Sequence, residues 1–203
     1  MQKKHIITLS GKPGSGKSST SDKVAEMLSY THYSSGDLVR ALIKKRRITL
    51  ADFNEMATTD HALDEEIDEQ LRELRDQKNI VIDSRLGFYW IPESFKVYLD
   101  LDMEVATARI YKDAISNEGR SGEVDMNTSI ADARQQVQAR LHGESRRFKT
   151  MYGVNPYKNS HFDLVINTLD HSPQTVALTV FDNYKKWLTS DVWRQVHSSS
   201  PRT

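Results

Sequence analysis

Lys17 and Ser18 close the stretch Gly11-Lys12-Pro13-Gly14-Ser15-Gly16-Lys17-Ser18, whose G-x-x-x-x-G-K-[ST] spacing gathers glycines, an ammonium and a hydroxyl into one short loop. Glycines at these positions permit a tight turn whose backbone N–H groups converge on phosphate oxygens, with the positive end of a following helix behind them. Lys17 is placed to neutralise β- and γ-phosphates, and the Ser18 hydroxyl can ligate Mg²⁺. A ligand-free Gly-rich turn could share this spacing by chance. The motif, however, also demands a strand before it and a helix after it, and both are present.

Other residue types extend the same chemistry. Asp83 ends the apolar run Ile80-Val81-Ile82, where a carboxylate can hold the Mg²⁺ shell directly or through water; a strand-end cap is the alternative. Arg85 lies two residues on and points the same way if the strand geometry persists. Arg40 stands one turn into a helix that opens near Ser35-Gly36-Asp37, a geometry suited to an incoming monophosphate. Asp37 is the expected cap of that helix. Arg140 and Arg147 are seven residues apart, so on one helix they share a face about 10 Å apart. With Glu144 between them they read either as convergent arginines for a transferring phosphoryl group or as a surface ion-pair row. Arg109 and Arg120 are further candidates, whereas Lys44 to Arg47 read as a solvated face.

The elements that must position these groups alternate in type. Strands are expected at 5–10, 31–34, 79–83, 95–99 and 162–167, and helices at 17–30, from 37, at 63–78, 103–115, 129–150 and around Val180. Leu63, Ile67, Leu71 and Leu74 carry the period of a long amphipathic helix. Alternation of this kind predicts an α/β three-layer fold: about five parallel strands, helices on both faces and ligands at the carboxyl ends of the strands. Two helical excursions, 36–78 and 103–153, are placed to close over the site. A glycine-bearing loop is expected at 116–123, and a frayed tail at 198–201.

The 203 residues suit one domain spanning 1–203, with 188–203 as a flexible tail. Lys plus Arg (28) balance Asp plus Glu (28), so no global basic field draws the chain to nucleic acid or an anionic membrane. The absence of cysteine removes disulfides, thiolate metal sites and thiol nucleophiles. The first apolar run is too short for a signal peptide or a span, which makes the cytoplasm the default compartment.

Beyond the phosphate loop, further stretches resemble one family in order and spacing. They are Tyr33-Ser34-Ser35-Gly36-Asp37-Leu38-Val39-Arg40, Leu50-Ala51-Asp52-Phe53-Asn54, Asp64-Glu65-Glu66-Ile67-Asp68 and Val81-Ile82-Asp83-Ser84-Arg85-Leu86. Toward the C-terminus follow Arg147-Phe148-Lys149-Thr150-Met151-Tyr152-Gly153 and Phe162-Asp163-Leu164-Val165-Ile166-Asn167-Thr168. Together they resemble the archaeal-type (type 2) cytidylate kinases, a branch of the P-loop nucleoside-monophosphate kinases.

The resemblance implies phosphoryl transfer from ATP to CMP or dCMP, with Mg²⁺. It implies an ATP site at Gly11, Lys12, Pro13, Gly14, Ser15, Gly16, Lys17, Ser18 and Ser19, and Mg²⁺ near Ser18 and Asp83. It implies acceptor contacts from Asp37, Arg40 and Arg85, and catalytic or lid-side roles for Lys17, Arg109, Arg140 and Arg147. The base would be read from the 36–78 excursion, with Asp60 and Asp64 as acceptors for an exocyclic amine. Small nucleotides are the implied partners, with no nucleic acid and no membrane, and the chain is expected as a monomer or weak dimer. The chain departs from the family in having Asp83-Ser84-Arg85 where Glu-Gly-Arg is common, Lys112 in place of an arginine, Gly143 near a usual serine and an apparent insertion at 116–127. A P-loop kinase for another small acceptor, such as AMP or a metabolite, and an ATP-dependent switch are the competing readings.

Overall fold

The computed structural model describes residues 3–116 and 129–198. Arg120, the rest of the expected loop from 117 to 123 and the tail from 199 lie outside the described residues. The parallel sheet has the order β2 (Thr31–Ser34), β3 (Ile80–Asp83), β1 (Ile6–Gly11), β4 (Phe95–Asp100), β5 (Leu164–Asn167), β6 (Val196–Ser198). The five expected strands are all present, and β6 adds a short parallel edge within the stretch expected as a flexible tail, 188–203: Leu188, Trp193 and Val196 pack on the core and tie residues up to 198 to the sheet.

β1 is central and buried along its whole length, so its side chains must suit both faces of the sheet. Ile7 and Leu9 join Val97, Leu99, Tyr184 and Trp187 beneath α1 (Lys17–Leu28) and α8 (Pro173–Thr189). Val24 is fully buried there, with Met27 and Leu28 packed alongside as the helical period predicts; Phe181 stays outside the buried set. On the opposite face Ile6, Ile80 and Ile82 receive α2 (Ser35–Arg46), α3 (Leu50–Thr59) and α4 (Ala62–Glu73) through Leu42, Phe53, Leu63, Ile67 and Leu71. The helix expected over 63–78 therefore exists, but stops at Glu73 and tightens into a 3₁₀ turn at Leu74–Asp76.

A short helix α5 (Gly87–Trp90) follows β3, where Gly87 lies so close to Thr8 that a Cβ would stand 3.1 Å from its methyl. The last excursion comprises α6 (Met103–Ser116) and α7 (Ile130–Tyr152), which pack on each other through Ile110, Ala114, Ala133 and Val137. α7 opens on a capping box, Ser129 with Asp132, and closes on Gly153 at φ 69°. One cap departs from expectation: Ser34, not Asp37, caps α2, its hydroxyl accepting from the Asp37 N–H. Asp37 sits in the first turn, where a carboxylate suits the helix dipole.

Strand register fixes the geometry of the site. Asp83 is opposite Leu9 on one side and Ser34 on the other, and Gly11 is opposite Leu99. The phosphate loop, Asp83 and the start of α2 thus leave the sheet at one level, at its carboxyl edge.

Candidate active site

The loop between β1 and α1 depends on two glycines for close packing. A Cβ on Gly11 would stand 2.4 Å from the Leu99 carbonyl, and one on Gly14 would stand 2.6 Å from the Ala106 carbonyl. Gly14 and Gly16 also lie at φ 76° and 83°, the left-handed region that side chains disfavour. Gly16 serves as N-cap of α1 without a capping side chain, which leaves the helix N-terminus to an anion.

Lys17 folds back over this loop, donating from Nζ to the carbonyls of Gly11 (2.9 Å) and Lys12 (3.0 Å). Burial lowers its pKa to about 8, with Asp83 pulling the other way. Ser18 Oγ donates to Asp83 Oδ2 at 2.6 Å, and Ser34 Oγ reaches the same oxygen at 3.4 Å. Among the described residues no cluster of three His, Cys, Asp or Glu side chains could cage a cation. One carboxylate and one hydroxyl beside a phosphate cradle suit Mg²⁺, which keeps several waters and takes further oxygens from phosphates.

A cavity of about 450 Å³ opens over the loop and runs along the sheet edge. Toward β2 and β3 it is lined by Ser35, Arg40, Asp83, Arg85 and Arg140, and toward β5 by Arg109, Thr168, His171 and Pro173. Arg109 is tied to the β5 side, donating to the carbonyls of Thr168 (3.1 Å) and Leu169 (3.0 Å). It therefore stands apart from the other arginines.

Two of those others, Arg85 and Arg140, meet on Glu144. Its Oε2 accepts from Arg85 Nε at 2.5 Å and its Oε1 from Arg140 Nε at 3.1 Å, and the Tyr157 hydroxyl donates to Oε2 as well. Glu144 is 4 % exposed. Burial alone would raise its pKa; Arg85 and Arg140 outweigh that and hold the carboxyl well below its usual range. Burial likewise opposes the charge on Arg85, and Glu144 more than restores it. The i, i+4 pair between Arg140 and Glu144 is thus real, with Glu144 buried and Arg140 lining the phosphate cavity.

Beyond Arg85 and Arg140 a second cavity, of about 50 Å³, lies among α2, α3, α4 and α7. Arg147 belongs to this one alone, its Nε 2.8 Å from Asp64 Oδ2. The two atoms are close enough to pair electrostatically but are not aligned as a hydrogen bond. Burial raises Asp64 to about 6 although Arg147 draws it down. Asp68, on the same wall, accepts from Trp90 Nε1 at 2.9 Å and from the Tyr152 hydroxyl. Asp60 is exposed and accepts from the Ala62 N–H, outside both cavities.

The remaining expected site residues separate in the same way. Pro13, Gly14, Ser15, Gly16, Lys17, Ser18 and Ser19 line the large cavity. Lys12 turns away from it to Asp100 (3.1 Å) and the Leu101 carbonyl, pinning the loop to β4. Asp37 does not line it either; its carboxylate holds Arg40 at 2.6 Å. Sequence reasoning saw Glu144 only as a partner of Arg140 and passed over Tyr157, because both roles depend on contacts between distant segments.

Residues 10–131 match the family described as an AAA domain. A cytidylate kinase of Halobacterium salinarum is 36% identical over 180 residues, covering 87% of this chain and 88% of that protein. The chain belongs to the cytidylate kinase family. It is a nucleoside-monophosphate kinase. An S-adenosylmethionine-dependent nucleotide dehydratase of Lacinutrix mariniflava is 35% identical over 182 residues, 89% of this chain but 36% of that longer protein. A solved shikimate kinase from Acinetobacter baumannii shares the fold at TM-score 0.60 and 14% identity, covering 92% of this chain and 96% of that one. Among the described residues no helix is long and apolar enough to cross a membrane.

Proposed function

We propose that the chain transfers the γ-phosphoryl group of ATP to CMP or dCMP, giving ADP and CDP or dCDP. The observation that carries this reading is the single cavity in which the phosphate loop and Lys17 face Arg40, Arg85 and Arg140. Two anionic groups can enter it from opposite ends and meet over the loop. The donor base lies toward Arg109, Thr168 and Pro173, and the acceptor toward α2 and β3.

An oxygen of the acceptor phosphate attacks the γ-phosphorus while the bond to the β–γ bridging oxygen breaks, and ADP leaves. The acceptor is already anionic, so no general base is required. What the protein supplies is in-line positioning and positive charge around a loose transition state. Lys17 and the loop N–H groups hold the donor phosphates, Arg40 and Arg85 hold the acceptor phosphate, and Arg140 faces the group in transit. Ser18 and Asp83 would hold Mg²⁺, which when bound neutralises charge on the donor phosphates.

The base sits beyond the arginines, against Asp64. The Asp64 carboxylate can accept from the exocyclic amine of cytosine, whereas uracil presents a carbonyl oxygen there. A cavity of about 50 Å³ has room for one or two waters only, so the α2–α4 segment moves outward to admit the ring and closes on it afterwards. Arg147 keeps the Asp64 charge partnered until then.

Release of ADP from ATP, measured with and without CMP, dCMP, UMP, AMP or GMP, tests the reading. Turnover that depends on CMP or dCMP supports it, and ATP hydrolysis indifferent to acceptor would assign a switch instead.

A further inference from the structure

We propose that Tyr157 is a positioning residue: its hydroxyl fixes the Glu144 carboxylate between Arg85 and Arg140 and thereby sets the spacing and aim of both guanidinium groups over the phosphate loop. The inference rests on the reading that these two arginines grip the reacting phosphates.

Tyr157 lies in the segment joining α7 to β5, where its backbone N–H donates to Asn155 Oδ1 at 3.0 Å. Its ring packs against two apolar clusters at once. One contains Leu86, Tyr98 and Phe148 beside the sheet, and the other Ile110, Val137 and Leu141 between α6 and α7. A ring wedged between two helices and the sheet has little rotational freedom, so its hydroxyl is delivered to one place. That place is Glu144 Oε2, the oxygen that also accepts from Arg85.

The terminal carboxylate torsion of a glutamate is broad and weakly preferred. Two arginines alone would let the group turn, because either guanidinium can take both oxygens in a bidentate pair. A third donor on Oε2 breaks that symmetry. Arg85 is then engaged through Nε on one oxygen and Arg140 through Nε on the other, which is a grip that presents the terminal nitrogens of a guanidinium to an incoming anion. Burial of Glu144 and the packing of Tyr157 make the arrangement stiff, and the charges of Arg85, Arg140 and Glu144 are unchanged by a neutral phenol. Removing the hydroxyl therefore alters geometry and leaves net charge alone.

Tyr157→Phe keeps the packed ring and deletes only the donor. The wild type is assayed first to establish its best acceptor; a wild type without acceptor-dependent turnover would overturn the kinase reading and this inference together. Otherwise, Tyr157→Phe should lower kcat/KM for that acceptor about tenfold, leave the KM for ATP within about twofold and keep the melting temperature near that of the wild type. Combined with Glu144→Ala, the same substitution should cost less than about twofold further, since the residue it acts through has gone. Wild-type kinetics in Tyr157→Phe would overturn the proposal. So would an equal loss in both backgrounds, or a loss that follows the unfolded fraction, because each marks a packing role only.

Discussion

Replacing Lys17 by Met should cut activity sharply and stabilise the fold in the same protein. Nζ is held at carbonyls of the loop, and its pKa falls from 10.5 to about 8, chiefly through burial. A lysine whose folded-state pKa lies below its unfolded value opposes folding while it is charged. The penalty is complete below about pH 8 and vanishes as pH rises to the unfolded value. At about 1.36 kcal/mol per pKa unit the shift corresponds to roughly 3 kcal/mol, and partial solvent access reduces this to ~1–2 kcal/mol. For a chain of this size that amounts to about 2–8 °C in Tm. Phosphoryl transfer should fall by about 10² to 10³, the scale for one aimed electrostatic donor. Melting curves without nucleotide at pH 7 and pH 10, with turnover on the same samples, make the check. The gain should be present at pH 7 and shrink at pH 10. A variant that melts below the wild type at pH 7, or retains near-normal turnover, would refute the reasoning.

Further expectations follow from the separation of the two cavities. Arg140→Ala should lower kcat with little effect on ATP binding, and Arg147→Ala should chiefly raise the acceptor KM, because Arg147 pairs with Asp64 in the smaller cavity; steady-state kinetics in both substrates distinguishes them. Asp64, raised to about 6 by burial, accepts from an amine most strongly when ionised. The kcat/KM for CMP should therefore fall as pH drops through about 6, and Asp64→Asn should remove that limb along with the preference for CMP over UMP, since an amide can pair with either base.

What was legible in the sequence is what local spacing encodes. The phosphate loop, the acid at the end of β3 and the amphipathic period of α4 each rest on residues a few positions apart, and each lies where the spacing puts it. Arg140 and Arg147 share a helix as expected, yet a shared face did not mean a shared cavity: a buried partner on α4, Asp64, claims Arg147. Lys12 sits inside the loop motif but is diverted by Asp100 at the end of β4. Asp37 matched the type of a capping residue, and Ser34, three residues earlier, took the cap. Glu144 and Tyr157 carried no periodic signal, since their roles arise from tertiary contacts with Arg85 and with the apolar clusters of α5, α6 and β4.

Whether the acceptor is a cytidine monophosphate is read from the ratio of kcat/KM for CMP to that for UMP, with ATP saturating. A buried carboxylate that loses its amine partner costs roughly 1–3 kcal/mol, or about 10- to 100-fold. CMP or dCMP should lead UMP by at least about tenfold, with AMP and GMP poorer still because purines overfill the pocket beside Asp64. Equal efficiency with UMP, or a clear preference for AMP, would contradict a cytidine acceptor.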